Sequence, residues 1–156
     1  MSIQQFINKE LIFTKLNFNS QRELFHYLYD KAKQGGFVTD DFLSRLTERE
    51  KIFPTGLKLG KNNVAIPHTD AECVTKEFIA IATLNTPVLF RLMDNNAEQA
   101  DVSLVFMLGL NNPHNQLEVL QELVGMIQDG AKVNQLVQSS SREEMYQALN
   151  GAALRK

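Results

Sequence analysis

The chain has 156 residues, of which 44% are hydrophobic and 22% charged, a composition that fits one globular domain over residues 1–156. With a net charge of −2 and no cluster of Lys and Arg, it lacks the concentrated positive charge that nucleic-acid binding usually needs. A single cysteine, the lack of a secretory signal and the lack of an apolar run of about 18 residues favour a cytoplasmic protein that is not inserted in a membrane.

The first third of the sequence predicts a strand and two helices. Residues 11–18 (LIFTKLNF) alternate apolar and polar side chains toward their end, which is typical of a strand. Ser20 and Glu23 have the spacing of a helix-capping box, and a Gly-Gly pair ends that helix because glycine tolerates the left-handed conformation. A second helix is predicted to begin near Thr39 or Asp40 and to end before the next proline.

The middle of the sequence predicts several strands. FPTGLKLGKN is predicted to be a loop because it contains a proline and two glycines, and VAI then forms a short buried strand. EFIAIATLN and VLFRL are predicted as two strands separated by an Asn-Thr-Pro turn. VSLVFMLGL is apolar on both faces, so we place it in the middle of a sheet.

Helices are predicted to complete the chain. They cover residues 114–128, residues 133–137 and a final segment from Ser141, which forms a second capping box with Glu144. The order of a strand, two helices, several strands and further helices predicts an α/β fold with α+β character. In this fold, helices cover both faces of one central mixed sheet.

Several common catalytic signatures are absent from the sequence. It contains no G-x-S-x-G nucleophile elbow, no P-loop and no G-x-G-x-x-G, so we predict no nicotinamide or flavin cofactor. The spacing of His26, His68 and His114 does not resemble a zinc signature. We interpret Cys73 as an inert small hydrophobic residue rather than a thiol nucleophile.

The three histidines occupy different settings. His26 follows a core phenylalanine on the first helix and is interpreted as a partly exposed surface residue. His68 follows a strand and a proline, where a ring can project into a cleft beyond the sheet edge, and His114 opens a helix after a long apolar strand. Both lie at strand exits and are able to meet, but spacing alone leaves a surface role and a functional role open for each.

Two longer motifs point to a family. TEREKIFPTGLKLGKNNVAIPHTD resembles the active-site signature of type 2 IIA components of the bacterial sugar phosphotransferase system, which carry an Arg-Glu pair, a Pro-Thr-Gly loop and a strand ending in Pro-His. ADVSLVFMLGLNNPHNQLEVLQEL is similar to the late strand and the following helix of the same family. The motifs most resemble the galactitol-type branch, which does not always keep a histidine at the position of His114.

The resemblance implies a phosphotransferase that carries a transient phosphoryl group and no bound cofactor. By this resemblance, His68 accepts the group on Nε2 from the phosphohistidine of the phosphocarrier protein HPr. It then passes the group to a cysteine of a cognate IIB component, which serves the membrane component IIC in the uptake of a sugar or sugar alcohol of galactitol type. A neutral imidazole suits this role because its usual pKa is about 6.5.

The same resemblance implies roles for four further residues. Arg49 is expected to bind phosphoryl oxygens through its guanidinium, and His114 to lie beside His68 and donate a hydrogen bond. Thr55 is expected to add a hydroxyl or backbone donor, and Pro67 to fix the approach of the chain. Without the motif, the sequence equally allows a surface ion pair for Arg49, a helix cap at His114 and a simple turn at Thr55.

A second functional class is compatible with the resemblance. The same fold serves as a regulatory IIA-like module that signals through protein binding according to its phosphorylation state. The lack of a fused DNA-binding segment and the galactitol-like motifs favour the transport role.

Overall fold

The computed structural model describes residues 3–150, whose backbone is organised around a five-stranded mixed sheet. The strands are β1 (Ile7–Leu16), β2 (Gly56–Leu57), β3 (Asn63–Ala65), β4 (Phe78–Arg91) and β5 (Gln99–Gly109). They lie in the order β1-β4-β5-β3-β2. The pairs β1–β4 and β3–β5 are parallel, whereas β4–β5 and β2–β3 are antiparallel. The predicted mixed sheet, with the apolar β5 at its centre, is confirmed.

Helices cover both faces of this sheet, as predicted. They are α1 (Gln21–Gln34), α2 (Phe42–Ile52), α3 (Pro113–Ile127), α4 (Gly130–Gln138) and α5 (Arg142–Leu149). Along β4, Ala80 and Ala82 join the core under α1 and α2, whereas Ile79 and Ile81 join the core under α3, α4 and α5. This alternation follows from the two-residue period of a strand. Within residues 3–150, no helix has both the length and the apolar character needed to cross a membrane.

Side-chain caps begin α1 and α5 where the sequence indicates. The Ser20 hydroxyl accepts a hydrogen bond from the Glu23 backbone N–H at 3.2 Å, and the Ser141 hydroxyl accepts one from Glu144 at 3.0 Å. The return bond of each capping box is displaced by one residue, because each glutamate accepts from the residue before the serine. At the end of α1, Gly36 has a φ of 77°, the left-handed conformation that glycine tolerates.

Two predicted boundaries are wrong because tertiary pairing extends the strands. The segments EFIAIATLN and VLFRL belong to one long strand, β4, and the Asn-Thr-Pro segment is not a turn between two strands. It lies where the register of β4 against β5 shifts, between Thr83 and Val88. The first strand also differs, since β1 covers Ile7–Leu16 rather than residues 11–18.

The segment FPTGLKLGKN is not entirely a loop. Gly56–Leu57 forms the edge strand β2, which pairs with β3, and Gly56 also bridges Leu92. A Cβ atom at position 56 would lie 2.7 Å from the carbonyl oxygen of Arg91, so only glycine allows this close backbone approach. The glycine that predicts a loop is therefore required here by sheet packing.

Candidate functional site

His68 lies at the edge of the sheet where the parallel strands β3 and β5 both end. The chain leaving β3 stays paired with β5, because the Leu108 N–H donates to the carbonyl of Pro67 at 3.0 Å and His68 forms a bridge with Leu108. On the other side, the Ile66 N–H donates to the carbonyl of Thr55 at 3.2 Å. Backbone bonds on both sides thus fix the approach to His68 through the buried Pro67.

The ring of His68 is held in one orientation by its own backbone. Its Nδ1 atom lies 2.8 Å from the carbonyl oxygen of Ile66. Because a carbonyl oxygen only accepts hydrogen bonds, Nδ1 carries the proton, and in the neutral ring Nε2 keeps a free lone pair. Burial lowers the pKa of His68 below its usual 6.5, and the nearby charge of Arg49 lowers it further, while the bond to Ile66 opposes both. The ring is therefore neutral at pH 7, and the lone pair of Nε2 is available.

A groove of about 370 Å³ lies beside this histidine. It is lined by Ser44, Arg45, Glu48, Arg49, Ile52, Phe53, Thr69 and Asp70. The guanidinium carbon of Arg49 lies 5.2 Å from the centre of the Phe53 ring, and its Nη1 atom lies 3.7 Å from Asp70 Oδ1. This pairing is long, so Arg49 retains donors that can bind an anion.

Arg45, one helical turn before Arg49 on α2, is paired much more tightly. Its Nη1 atom lies 3.0 Å from Asp70 Oδ2 and 2.9 Å from Glu72 Oε1, and its Nε atom lies 3.2 Å from Asp41 Oδ2. These carboxylates hold the pKa of Arg45 above its usual value. Arg45 therefore anchors the segment that follows His68, and Asp70 is shared between the two arginines.

Glu50 and Thr55 form a buried pair behind the groove. Glu50 Oε2 accepts from the Thr55 backbone N–H at 2.8 Å, and Glu50 Oε1 accepts from the Thr55 hydroxyl at 2.9 Å. Both donors expected from Thr55 are thus engaged by Glu50, so a contact with a group on His68 requires these bonds to break. The ion-pair partner of Arg49 is Asp70, not a glutamate next to it in the sequence. Glu50 is bound to Thr55, and Glu48 Oε2 lies 3.6 Å from Lys51 Nζ.

His114 lies in the first turn of α3 with 72% of its side chain exposed. Its Nε2 atom lies 3.2 Å from Glu118 Oε2 on the same helix. The cap of α3 is Asn112, whose side chain accepts from the backbone N–H groups of His114 and Asn115. Among residues 3–150, no hydrogen bond or ion pair joins His114 to His68, so the expected bond between them would require His114 to leave Glu118.

The other candidates of the sequence do not line this groove. Cys73 is 1% exposed in the core under α1 and α2, and His26 Nδ1 lies 3.2 Å from Asp30 on the exposed side of α1. Across the described residues, no three His, Cys, Asp or Glu side chains are grouped so that they could hold a metal ion.

The comparison with protein families agrees with the motifs around His68. The family model described as "Phosphoenolpyruvate-dependent sugar phosphotransferase system, EIIA 2" matches residues 5–152. The chain belongs to this EIIA type 2 family. The galactitol-specific EIIA component of Escherichia coli K12 is 31% identical over 122 residues, which cover 78% of this chain and 81% of that protein.

Solved structures show the same EIIA fold. Nitrogen regulatory protein IIA-Ntr from Neisseria meningitidis is 27% identical, with a TM-score of 0.78 over 94% of this chain and 98% of that one. Enzyme IIA-mannitol of Escherichia coli, solved in complex with phosphorylated enzyme IIB-mannitol, is 22% identical, with a TM-score of 0.75 over 93% of this chain and 97% of that one. At that identity, the second likeness establishes the fold alone.

Three residues of this EIIA site were not singled out from the sequence. Arg45 and Asp70 form its ionic network, and Glu50 forms its buried hydrogen bonds. The four-residue spacing of Arg45 and Arg49 places both on one face of a helix, which is the signal that was available for the network. The glutamate of the Arg-Glu pair offered no sign that its carboxylate is buried against Thr55.

Proposed function

We propose that the protein is a cytoplasmic phosphoryl carrier of the phosphoenolpyruvate-dependent sugar phosphotransferase system. His68 accepts a phosphoryl group from the phosphohistidine of HPr and passes it to a cysteine of a cognate IIB component, which serves the membrane component IIC. The observation that carries the proposal is the neutral His68 ring, with Nδ1 bound to Ile66 and Nε2 left as the nucleophile beside Arg49.

The transfer requires one bond to form while another breaks. Nε2 of His68 attacks the phosphorus atom, the P–N bond to the donor histidine breaks, and the donor ring keeps the electron pair of that bond. The proton stays on Nδ1, which donates to the Ile66 carbonyl, and this hydrogen bond stabilises the positive charge that the phosphorylated ring gains. Phosphoryl transfer depends mainly on alignment and charge stabilisation, so a fixed ring and a nearby cation meet its main requirements.

Arg49 is the residue proposed to stabilise the transferred group. Its ion pair with Asp70 is long, and a dianionic phosphoryl group competes with a single carboxylate for the guanidinium. His114 is proposed as a second donor once it leaves Glu118, and Thr55 as a further donor once one of its bonds to Glu50 breaks. Pro67 is proposed to fix the chain before His68.

An apolar rim beside the groove is proposed as the docking surface for both partners. It consists of Ile52 and Phe53, each 60% exposed, and Met93, which is 42% exposed. Ile52 and Phe53 line both the groove and a neighbouring one that includes Met93. HPr and IIB must bring their reactive atoms to the same ring, so they are expected to bind this surface in turn.

The proposed cargo is galactitol or a related sugar alcohol, which is supported by the 31% identity to a galactitol-specific EIIA component. The second candidate function is a regulatory module, which is supported by the 27% identity to a nitrogen regulatory IIA protein. The two differ in one reaction, because only the transport component needs rapid transfer to a IIB cysteine.

Phosphorylation in a purified system tests the proposal. Incubation with phosphoenolpyruvate, enzyme I and HPr is expected to add one acid-labile phosphoryl group, and His68→Gln is expected to abolish it. Full labelling of His68→Gln would show that another residue accepts the group. Addition of a galactitol-type IIB component should then discharge the labelled protein. A charged protein that no IIB component discharges would favour the regulatory function.

A further inference from the structure

Three hydrogen bonds in series connect the buried carboxylate of Glu50 with the ring of His68. Glu50 Oε2 accepts from the Thr55 N–H at 2.8 Å, and the Thr55 carbonyl accepts from the Ile66 N–H at 3.2 Å. The Ile66 carbonyl then accepts from His68 Nδ1 at 2.8 Å. The series runs from α2, through the residue before β2, to the segment that leaves β3.

The bond between Glu50 and Thr55, the first of the three, is firmly held because both residues are buried. Glu50 and Thr55 are only 5% and 3% exposed, so water cannot easily replace a lost partner. The Thr55 hydroxyl adds a second bond to the same carboxylate at 2.9 Å. Glu50 thus fixes both the backbone and the side chain of Thr55.

The remaining members transmit this position to the reactive ring. Thr55 holds the N–H group of Ile66, and the carbonyl group of Ile66 is the acceptor that keeps the proton of His68 on Nδ1. A displacement of Thr55 therefore moves the residue that selects the His68 tautomer. A ring nitrogen is fixed as donor or nucleophile by the hydrogen bond that the other nitrogen makes.

We propose that Glu50 is a positioning residue for His68. By anchoring Thr55, it holds the Ile66 carbonyl where Nδ1 keeps its proton and Nε2 stays free to accept the phosphoryl group. The inference rests on the proposed function for its chemical role, but the tautomer of His68 can be measured without any partner protein. Glu50 acts through Thr55 and Ile66, whereas the charged side chain that acts directly on His68 is Arg49.

Two substitutions of Glu50 distinguish the loss of its hydrogen bonds to Thr55 from the loss of its negative charge. In Glu50→Gln, the amide oxygen still accepts from the Thr55 N–H, and the amide nitrogen donates to the Thr55 hydroxyl. Glu50→Ala removes both bonds. Thr55→Val keeps the shape of the side chain and the backbone bond but loses the hydroxyl bond. Leu123→Ala is the control for general destabilisation, because it opens a cavity in the core under α3, on the other face of the sheet.

The test is a nitrogen-15 NMR measurement of the His68 ring at pH 8, beside rapid-quench phosphorylation by HPr. Wild type, Glu50→Gln and Leu123→Ala are expected to show the Nδ1–H tautomer. Glu50→Ala is expected to show a mixture of tautomers and phosphorylation slowed by about tenfold, the size of effect that lost alignment can have. Thr55→Val is expected to change the His68 tautomer and the phosphorylation rate in the same direction as Glu50→Ala does, but by less.

An unchanged tautomer in both Glu50→Ala and Thr55→Val would overturn the inference. If Glu50→Ala does not fold, Glu50→Asp decides alone, because its shorter side chain withdraws the carboxylate from the Thr55 N–H, and a wild-type tautomer in that variant overturns the inference. A tautomer shift of the same size in Leu123→Ala would also overturn it, because general loosening would then be the cause. A wild-type protein that is not phosphorylated at His68, but whose variants shift the tautomer as expected, would refute the proposed function and support the positioning role.

Discussion

Arg49 and Asp70 line the same groove next to His68, and the Nη1 atom of Arg49 lies 3.7 Å from Oδ1 of Asp70. The other carboxylate oxygen of Asp70 lies 3.0 Å from Arg45, which also binds Glu72. Asp70 is thus held mainly by Arg45, and Arg49 keeps donors for another anion. A phosphoryl group on His68 is the anion that the proposed function places there.

Replacing Arg49 should slow transfer without unfolding the protein. In Arg49→Ala, a lost charge-assisted hydrogen bond should cost about 1.5–3 kcal/mol, or roughly ten- to a hundredfold or more in rate. Arg49→Lys should restore only part of this, because an ammonium group lacks the planar fork. Rapid-quench rates from phosphorylated HPr, read beside thermal melts, measure both effects. Arg22→Ala removes an exposed arginine outside the groove as a control. Wild-type rates in Arg49→Ala would show that Arg49 only forms a surface ion pair and does not stabilise the transferred group.

Replacing Asp70 should favour the phosphorylated form. Asp70→Asn removes a negative charge that competes with the phosphoryl group for Arg49. Since exposed charge pairs contribute about 0.5–1 kcal/mol, the equilibrium of transfer from HPr should shift toward this protein by about two- to fivefold. Equilibrium labelling at fixed ratios of the two proteins measures the shift. A shift in the opposite direction would mean that Asp70 supports the phosphorylated state by holding Arg45.

Replacing His114 should matter less than replacing Arg49. Glutamine keeps a hydrogen-bond donor at this position, so we expect His114→Gln to slow transfer clearly less than Arg49→Ala does. Glu118→Gln weakens the partner that now holds Nε2 of His114, and it should not slow transfer if His114 has to turn toward His68. Single-turnover rates for the variants decide this. A larger loss in His114→Gln than in Arg49→Ala would make His114 the principal stabilising residue.

The apolar rim should bind HPr and IIB competitively. Ile52→Ser removes an exposed apolar side chain from the proposed docking surface and should raise the KM for both partners more than it lowers kcat. Leu89→Ser is the matched control, because Leu89 is 53% exposed and does not line the groove. NMR titration of each partner in the presence of the other shows whether they compete. Simultaneous binding at separate surfaces would contradict the prediction.

The buried carboxyl of Glu50 should make stability depend on pH. Burial raises its pKa to about 7 from the usual 4.5, against the hydrogen bonds of Thr55 and the charge of Arg91, which lower it. The folded protein binds this proton more tightly than the unfolded chain does, so this group makes the free energy of unfolding fall as pH rises from 4.5 to about 7. Glu50→Gln removes this titration.

Relative to wild type, Glu50→Gln should therefore gain stability across that pH window. The gain should be up to about 3 kcal/mol, at about 1.4 kcal/mol per pKa unit. Urea unfolding of both proteins at pH 5, 6, 7 and 8 measures it. Parallel pH profiles for the two proteins would show that Glu50 has a similar pKa in the folded and unfolded states.

The sequence by itself determined several periodic elements of this protein and singled out His68 as the candidate phosphoryl acceptor. The serine caps of α1 and α5 and the apolar run of β5 are local signals, because each depends on residues close together in the chain. The motif around Pro67 and His68 indicated the family, which the match over residues 5–152 confirms. These features need no knowledge of distant contacts.

Only the tertiary structure decided the edge strand, the continuous β4 and the partners of the site residues. Gly56 forms a strand because the backbone of Arg91 lies against it, and a local pattern of proline and glycine cannot show that contact. Likewise, Glu50 is buried against Thr55 and His114 pairs with Glu118, although other partners were compatible with the motif. The physical reason is that a polar side chain takes the partner that burial and the packing of the surrounding elements leave within hydrogen-bonding distance.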